Sequence, residues 1–384
     1  MEVLAPKSQG SRRPWQDLPS EILGLVLQRV PSHADRVSLH GVCRPWRTGV
    51  RLLAPLPALL PWLALRDGSF LSLPDGEVHR RVLLRDDNVA HRVSTGSTLF
   101  LVHSDDGCSL MNPLSRQITV PQSINLKCLS TRPGVLVDTD NIRKVVVMSD
   151  QAVAIRTRSR PNVTISIHRP QSTNVEWRWR PPQDTYYSVC DIPVFQDKLY
   201  VLTAMFGTVY PLCLYAMEIV SNNHVSVQRM LTMPKDDVDD RNVASLHHYL
   251  VASADRLLMV KQKAELFTML PGPVIMPTLF EVFEAADLGS GGGCWRNVNT
   301  LMGRALFLSE GCSESLPAGD NPNVGARQDC IYFLNERNHF DARTRALCSH
   351  VYDMRDGTVS PLPFQTLVAH EGPLTGTWFF PADT

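Results

Sequence analysis

The chain lacks a surplus of charge of either sign. Among its 384 residues, lysine and arginine number 38 and aspartate and glutamate also number 38, so the formal net charge is zero. Proteins that bind nucleic acid or anionic lipid carry a broad excess of positive charge. We therefore expect neither nucleic acid nor a membrane surface as a partner.

Long apolar runs are also missing. The best candidate for a membrane span, residues 52–65, is interrupted by Pro55, Pro57 and Pro61 and is shorter than the roughly 20 residues that a spanning helix needs. Residues 1–15 contain no apolar core of a signal peptide. These features predict a soluble protein that is not secreted.

The nine cysteines show no metal-binding or disulfide pattern. They are odd in number and scattered, and no pair has C-x-x-C spacing. A disulfide framework or a zinc site is therefore not indicated, and reduced thiols are typical of the cytoplasm or nucleus. We expect no metal.

Catalytic signatures are equally scarce. The sequence has no G-x-S-x-G elbow, no phosphate-binding P-loop and no H-E-x-x-H helix. The glycine-rich run 289–293 lacks a following lysine and reads as a loop. His247 and His248 are adjacent, so on a strand they face opposite sides, which favours structural histidines over a metal pair. We predict no catalytic residue, no cofactor and no enzymatic activity.

What the sequence does have begins with an apolar helical stripe. Pro19 suits the first turn of a helix. Apolar residues then follow at helical spacing: Ile22, Leu23, Val26, Leu27 and Val30. This spacing predicts one amphipathic helix.

Two further helices are predicted after Pro31. Residues 32–35 resemble a capping box that opens the second helix. Leu39, Val42, Trp46 and Val50 continue at helical spacing, with a third helix interrupted or restarted at Pro45. About 40 residues rarely bury enough surface to be stable alone, so the stripe needs either the rest of the chain or another protein to cover it.

These residues resemble a known motif. The run LPSEIL at 18–23 and the run VCRPWR at 42–47 are similar to the two halves of the F-box, in order and at the separation found in that family. The resemblance implies a trihelical F-box domain at residues 14–54, after a disordered tail at 1–13, that binds a Skp-type adaptor and through it a cullin. The adaptor-binding residues that it implies are Leu18, Pro19, Ile22, Leu23, Val26, Leu27, Val42, Cys43 and Trp46.

Beyond about residue 60 the pattern changes to short apolar segments. They lie at 70–73, 99–102, 145–148, 199–202, 257–260, 305–308 and 331–334. Asp-Gly pairs at 67–68, 75–76, 106–107 and 356–357 have the chemistry of hairpin turns. This half is therefore predicted to be all-β.

The spacing of these segments favours a β-propeller. Successive segments at 99, 145, 199, 257 and 305 are 46, 54, 58 and 48 positions apart, close to the roughly 40–50 residues of one blade. We interpret each of these segments as the first strand of a blade and expect six or seven blades in all. A final strand at 377–381 is predicted to close the ring by pairing near 62–65.

This half also resembles a family. Segments 249–261, 280–284, 295–298, 303–308 and 330–333 look like the C-terminal domain of unknown function found on many plant F-box proteins. The resemblance implies a kelch-like β-propeller over residues 60–384, and a mainly β fold with a small α-helical N-terminal module. Together with the F-box it covers most of the chain.

Two clusters on strands have competing interpretations. Arg156, Arg158 and Arg160 alternate and would line one exposed sheet face, where they could touch an acidic partner. Trp177 and Trp179 also alternate, and blade packing is favoured over a ligand cage.

Two functions fit the sequence. In the first, the chain is the substrate-recognition subunit of a Skp-cullin-F-box ubiquitin ligase, whose propeller captures an unidentified target protein. In the second, the propeller binds or hydrolyses a small molecule at its central channel, and the F-box controls the chain's own turnover. Titratable groups clustered at the channel mouth would favour the second function.

Overall fold

The structure is a computed structural model that describes most of the chain. The described residues are 15–27, 29–30, 33–52, 60–65, 68–72, 78–79, 88–105, 107–115, 117–119, 142–148, 152–158, 163–168, 177–179, 187–205, 212–221, 224–233, 243–269, 272–275, 279–289, 293–319, 325–335, 348–362 and 376–381. The tail predicted at 1–13, Arg160 and the turn at 75–76 lie outside them, as do the side chains of Arg158 and Trp177.

Three helices follow a 3-10 turn at Trp15–Asp17. They are α1 at Ser20–Leu27, α2 at His33–Val42 and α3 at Arg44–Leu52. The first helix ends at Leu27, three residues before Val30, where the prediction ended it. The N–H of Arg29 bonds the carbonyl oxygen of Val26 in a closing turn, and Pro31 has no N–H with which to continue the helix. The predicted restart is found at Arg44, one residue before Pro45.

The helices pack around a small core of their own. Leu23, Leu27 and Trp46 are buried there, with Leu18, Leu39 and Cys43 packed against them. The indole N–H of Trp46 donates to the carbonyl oxygen of Trp15 at 2.9 Å, which ties α3 to the opening turn. The helical segment thus forms a compact module with a closed interior.

The rest of the described chain forms a six-bladed β-propeller, as the six separate sheets show. The first blade contains β1 (Trp62–Leu65), β2 (Phe70–Leu71), β3 (Val78–His79) and β27 (Gly376–Phe379). The second contains β4 (Val89–Thr95), β5 (Thr98–His103), β6 (Cys108–Asn112) and β7 (Gln117–Thr119). The third contains β8 (Ile142–Val147), β9 (Val153–Arg158), β10 (Val163–His168) and β11 (Trp177–Trp179).

The last three blades have five strands each. The fourth contains β12 (Tyr187–Asp191), β13 (Val194–Phe195), β14 (Lys198–Met205), β15 (Leu212–Ser221) and β16 (His224–Met233). The fifth contains β17 (Val243–Ser253), β18 (Arg256–Met269), β19 (Gly272–Ile275), β20 (Leu279–Ala286) and β21 (Cys294–Val298). The sixth contains β22 (Arg304–Leu308), β23 (Glu314–Pro317), β24 (Cys330–Asn335), β25 (Cys348–Asp353) and β26 (Val359–Pro361).

The ring is closed by the two ends of the propeller sequence. Strand β27 pairs antiparallel with β1 in the register Trp62↔Phe379 to Leu65↔Gly376. The prediction that a C-terminal strand pairs near residues 62–65 is therefore confirmed. This pairing combines strands from both ends of the propeller sequence in one blade.

All seven predicted apolar segments overlap strands, but their interpretation as first strands was largely wrong. Segments 99–102, 199–202 and 257–260 belong to β5, β14 and β18, which lie in the middle of their sheets. Only 145–148 overlaps a strand at the start of its sheet order, β8. Mid-sheet strands are covered by neighbouring blades on both faces, and strands buried on both faces have the most continuous apolar sequences.

The sixth blade departs from a simple meander. Strand β22 pairs in parallel with β24, with Leu306 opposite Ile331, and β23 folds back along the other edge of β22. The hydroxyl of Ser315 on β23 lies 2.8 Å from that of Ser253 on β17, so β23 adjoins the fifth blade.

The predicted turns are found where the structure describes them. Gly68 and Gly357 have φ angles of 83° and 72°, the left-handed region that glycine enters without penalty. Both follow an aspartate and connect neighbouring strands, β1 to β2 and β25 to β26. Among the described residues, no helix is long and apolar enough to cross a bilayer.

Candidate functional site

The helical module presents an apolar surface to solvent. Ile22 is 45% exposed, Val26 is 40% exposed and Val42 is 58% exposed, although all three are aliphatic. Leu25 is 47% exposed beside them on α1. Pro19, just before α1, is exposed as well. We refer to these exposed residues together as the helical face: Pro19, Ile22, Leu25, Val26 and Val42.

The nine residues implied by the motif resemblance fall into two groups. Pro19, Ile22, Val26 and Val42 are exposed, whereas Leu23, Leu27 and Trp46 form the core of the module. Leu18 and Cys43 are half-buried against that core. The second group therefore lies in or against the core of the module, and the first group is the part of the predicted set that is exposed to solvent.

Leu25 was missed by sequence analysis. Helical spacing identifies one apolar stripe on a helix, whereas α1, with the sequence SEILGLVL, is apolar on more than one side. A helix that is apolar nearly all round is covered on more than one side in its final assembly. The apolar residues outside the predicted stripe were therefore the signal that Leu25 belongs to a second, solvent-facing surface.

A second site lies at the centre of the propeller. A cavity of about 720 Å³ opens where the innermost strands β4, β8, β12 and β17 end and β23 begins. Its described lining combines apolar and polar groups, including Thr95, Val147, Ile192, Ala252 and Glu314. Five of the six blades meet there.

A buried ion pair lies beside this cavity. The ammonium of Lys144 on β8 lies 2.6 Å from Asp191 Oδ1 at the end of β12. The same carboxylate accepts hydrogen bonds from the backbone N–H of Ile192 at 2.7 Å and of Leu250 at 2.8 Å. Asp191 is thus satisfied on both oxygens and joins the third, fourth and fifth blades.

Glu314 lies across the cavity on β23. Burial raises the pKa of its carboxyl, and the positive charge of Lys144 opposes that rise. A β-carbon added to Gly96, whose φ is 61°, would lie 3.1 Å from Glu314 Oε1, so the β4–β5 turn closely approaches this carboxylate.

The nearby thiol of Cys312 is buried. Burial raises its pKa to about 12, with a further rise from Glu314. The backbone N–H of Gly96 donates to its sulfur at 3.4 Å. Because the thiolate is the nucleophilic form, the raised pKa disfavours reactivity of this cysteine near neutral pH.

The prediction of an exposed arginine face on β9 was wrong for Arg156. This residue is buried, and its guanidinium donates to the carbonyl oxygen of Cys190 and lies 3.3 Å from Glu310 Oε1. Arg143 contacts the other oxygen of Glu310 at 3.7 Å. The acidic partner of Arg156 is therefore within the chain, because β9 is a mid-sheet strand whose faces are covered by adjacent blades.

The remaining candidates have structural surroundings. Trp179 is buried with its ring 5.1 Å from that of Tyr215, as blade packing predicts. His248 is buried, and burial followed by the charge of Lys261 lowers its pKa to about 3. Within the described residues no group of three or more histidine, cysteine, aspartate or glutamate side chains is placed to hold a metal ion.

The six blades and their central cavity agree with the comparison to protein families. The chain matches the KIB1-4 beta-propeller family over residues 70–353, which is most of its length. It belongs to that family. The match does not extend to the helical module of this KIB1-4 beta-propeller protein, since it begins at β2.

Several solved structures are similar to the chain at low sequence identity and with low TM-scores. The N-terminal domain of Nup159 is 10% identical, with a TM-score of 0.32, over 85% of this chain and 78% of that one. Virginiamycin B lyase from Staphylococcus aureus is 9% identical, with a TM-score of 0.31, over 74% and 88%. An alpha-L-arabinanase from Penicillium chrysogenum is 7% identical, with a TM-score of 0.31, over 84% and 85%. No curated protein matches the chain.

Proposed function

We propose that this chain is the substrate-recognition subunit of a Skp-cullin-F-box ubiquitin ligase. The helical module would bind a Skp-type adaptor, and the propeller would bind a target protein for ubiquitination. The observation that carries the proposal is the helical face, an exposed apolar surface on a module whose own core is already closed by Leu23, Leu27 and Trp46. The two halves of the F-box-like sequence lie on α1 and at the α2–α3 junction, the elements that build this face.

The helical face has the properties of a docking surface. Each aliphatic side chain fully buried by a partner contributes roughly 1.5–3 kcal/mol, before the costs of association are subtracted. A monomer gains nothing from exposing these side chains, so a bound partner is their simplest explanation.

The propeller supplies the second half of the proposed role. In such a receptor no chemistry is required of this chain, because holding a target near a charged ubiquitin carrier raises its effective concentration. This role would place the protein in the cytoplasm or nucleus, where the ligase operates.

A direct binding measurement tests the adaptor contact. The full chain and an Ile22→Lys variant would be titrated with a purified Skp-type adaptor in a calorimeter. We expect at least a tenfold loss of affinity, since a lysine placed at a buried apolar contact loses about 1.4 kcal/mol or more. Val220→Lys on β15, where the valine is 64% exposed, is the matched control and should bind normally.

The comparison between the two variants decides the proposal. Thermal unfolding should show that both retain the fold, because both side chains are solvent-exposed in the wild type. Equal affinity of the wild type and Ile22→Lys would mean that the helical face is not the adaptor contact. Absence of any adaptor binding by the wild type would refute the assignment altogether.

A further inference from the structure

The central cavity has features that the proposed receptor role does not use. Its volume of about 720 Å³ lies within the roughly 300–1,000 Å³ typical of small-molecule sites. It lies on the propeller, whereas the adaptor contact lies on the helical module. Binding of a ligand in this cavity would therefore be a function beyond the proposed one, and it can be tested separately.

Two charged side chains lie among the described lining residues of the cavity, the ammonium of Lys144 and the carboxyl group of Glu314. The ammonium of Lys144 forms its close ion pair with Asp191 at 2.6 Å. Within the described part of the chain, Glu314 accepts no hydrogen bond and has no such close ion pair. One acidic group thus faces the cavity without a direct partner.

The lining of the cavity is partly apolar. Val146, Val147, Ile192 and Leu110 line it together with the small side chain of Ala252. Polar groups on the lining, such as Ser97 and Thr98, lie in the β4–β5 turn. A ligand that fits this lining has a positively charged head and a short apolar body.

An anionic ligand fits poorly. Lys144, the cation among the described lining residues, is already paired with Asp191, whose oxygens also accept the N–H groups of Ile192 and Leu250. Recruiting Lys144 to a new anion would leave Asp191 buried without its counter-ion, which is unfavourable. The burial that raises the pKa of Glu314 is also relieved when a cation pairs with it.

We propose that the central cavity is a binding site for a small organic ammonium ion, whose nitrogen pairs with the carboxylate of Glu314 and whose apolar part packs against Val146, Val147 and Ile192.

The test uses three probes of similar size on the full chain. Binding of n-butylammonium, n-butanol and butyrate would be measured by ligand-observed NMR titration. We expect n-butylammonium to bind at least tenfold more tightly than either other probe. Equal binding of n-butylammonium and n-butanol, or preferential binding of butyrate, would overturn the proposal.

Substitution of Glu314 locates the site. Glu314→Gln keeps the size of the side chain and removes its charge, and the neutral form is the one that burial favours, so the fold should be retained. We expect this variant to lose at least tenfold in n-butylammonium affinity. Glu218→Gln is the matched control, because Glu218 on β15 is 58% exposed and lies far along the sheet order from the cavity. Equal losses in both variants would refute the site.

A second variant tests the cavity without touching its charge. Ser97→Trp places a large side chain at the cavity lining from a partly exposed turn, where the backbone can accept it. We expect n-butylammonium binding to be lost while adaptor binding by the helical face is unchanged. Retained n-butylammonium binding in Ser97→Trp would show that the ligand binds elsewhere and would overturn the proposal, whatever the result for the adaptor.

Discussion

The Nζ atom of Lys144 lies 2.6 Å from Oδ1 of Asp191, and the two side chains are only 6% and 4% exposed. Asp191 also accepts the backbone N–H of Leu250, which belongs to the next blade. Because both side chains are removed from water, each charge is stabilised mainly by the opposite charge of the other. This contact joins three blades at the centre of the ring.

Replacement of Asp191 by asparagine should strongly destabilise the propeller. The variant leaves the buried ammonium of Lys144 without its counter-ion, and losing one partner of a buried pair costs about 3–5 kcal/mol. The measurement is the free energy of unfolding from urea denaturation. Glu218→Gln, which breaks the exposed pair between Lys198 and Glu218, is the control and should change stability by about 0–1 kcal/mol. Similar effects of the two substitutions would show that the buried pair does not stabilise the ring.

Trp378 should be the most sensitive residue of the closing strand. Its side chain is fully buried, its ring packs edge-on against Phe307 at 5.3 Å, and its indole N–H donates to the carbonyl of Leu308 at 2.9 Å. Trp378→Ala is expected to lower the free energy of unfolding by about 3–5 kcal/mol through the cavity that it leaves.

The matched variant Trp378→Phe separates packing from hydrogen bonding. It keeps an aromatic ring but removes the N–H, and leaving the Leu308 carbonyl unsatisfied should cost about 1–3 kcal/mol. Chemical denaturation of both variants provides the comparison. If the phenylalanine variant were as unstable as the alanine variant, the filling of the core by this ring would not be the main contribution.

The sequence predicted the parts of this fold that depend on local patterns. The three helices, the all-β second half and the closure by 377–381 follow from helical spacing, turn chemistry and the need to pair a sheet edge. The innermost strands were harder to recognise, since β5, β14 and β18 are more continuously apolar than the strands that line the channel. The parallel pairing of β22 with β24 has no local signal, because it depends on how distant strands meet.

The central cavity could not be predicted from sequence patterns for a related reason. Lys144, Asp191 and Glu314 lie in three different blades and become neighbours only when the ring closes. One local signal was present, the two charged residues Arg143 and Lys144 that directly precede the apolar run VVV in β8. A charge in a strand that is otherwise buried indicates a partner nearby, but it does not identify that partner.

The two groups of residues in the helical module should respond differently to substitution. Leu27→Ala removes a fully buried side chain from the module core and should destabilise the module by about 2–5 kcal/mol, seen as a loss of helical circular dichroism at lower temperature. Val42→Ser changes a residue that is 58% exposed and should leave the unfolding of the module unchanged. Adaptor affinity should fall in both variants. A Val42→Ser variant that unfolds as early as Leu27→Ala would show that Val42 belongs to the core.

His248 should make the propeller sensitive to acid. Burial lowers the pKa of its imidazole from 6.5 to about 3, with smaller contributions from the charges of Lys261, His247 and Lys263. In the unfolded chain the imidazole binds a proton below about pH 6.5, while in the folded chain it stays neutral until about pH 3. Titration of His248 therefore leaves the free energy of unfolding unchanged above pH 6.5 and lowers it as the pH falls from 6.5 toward 3.

Removal of this imidazole should make the free energy of unfolding fall less steeply as the pH is lowered from 6.5. Within that window the wild type should lose about 1.4 kcal/mol per pH unit more than the variant, or about 2 kcal/mol between pH 6.5 and pH 5. Urea denaturation of the wild type and of His248→Leu across this range provides the measurement, and other titrating groups cancel because both proteins share them. The imidazole Nε2 is buried with no hydrogen-bond partner in the described part of the chain, so leucine should be tolerated at neutral pH. Parallel stability curves for the two proteins would show that His248 takes up its proton equally in the folded and unfolded chain, contrary to its buried position.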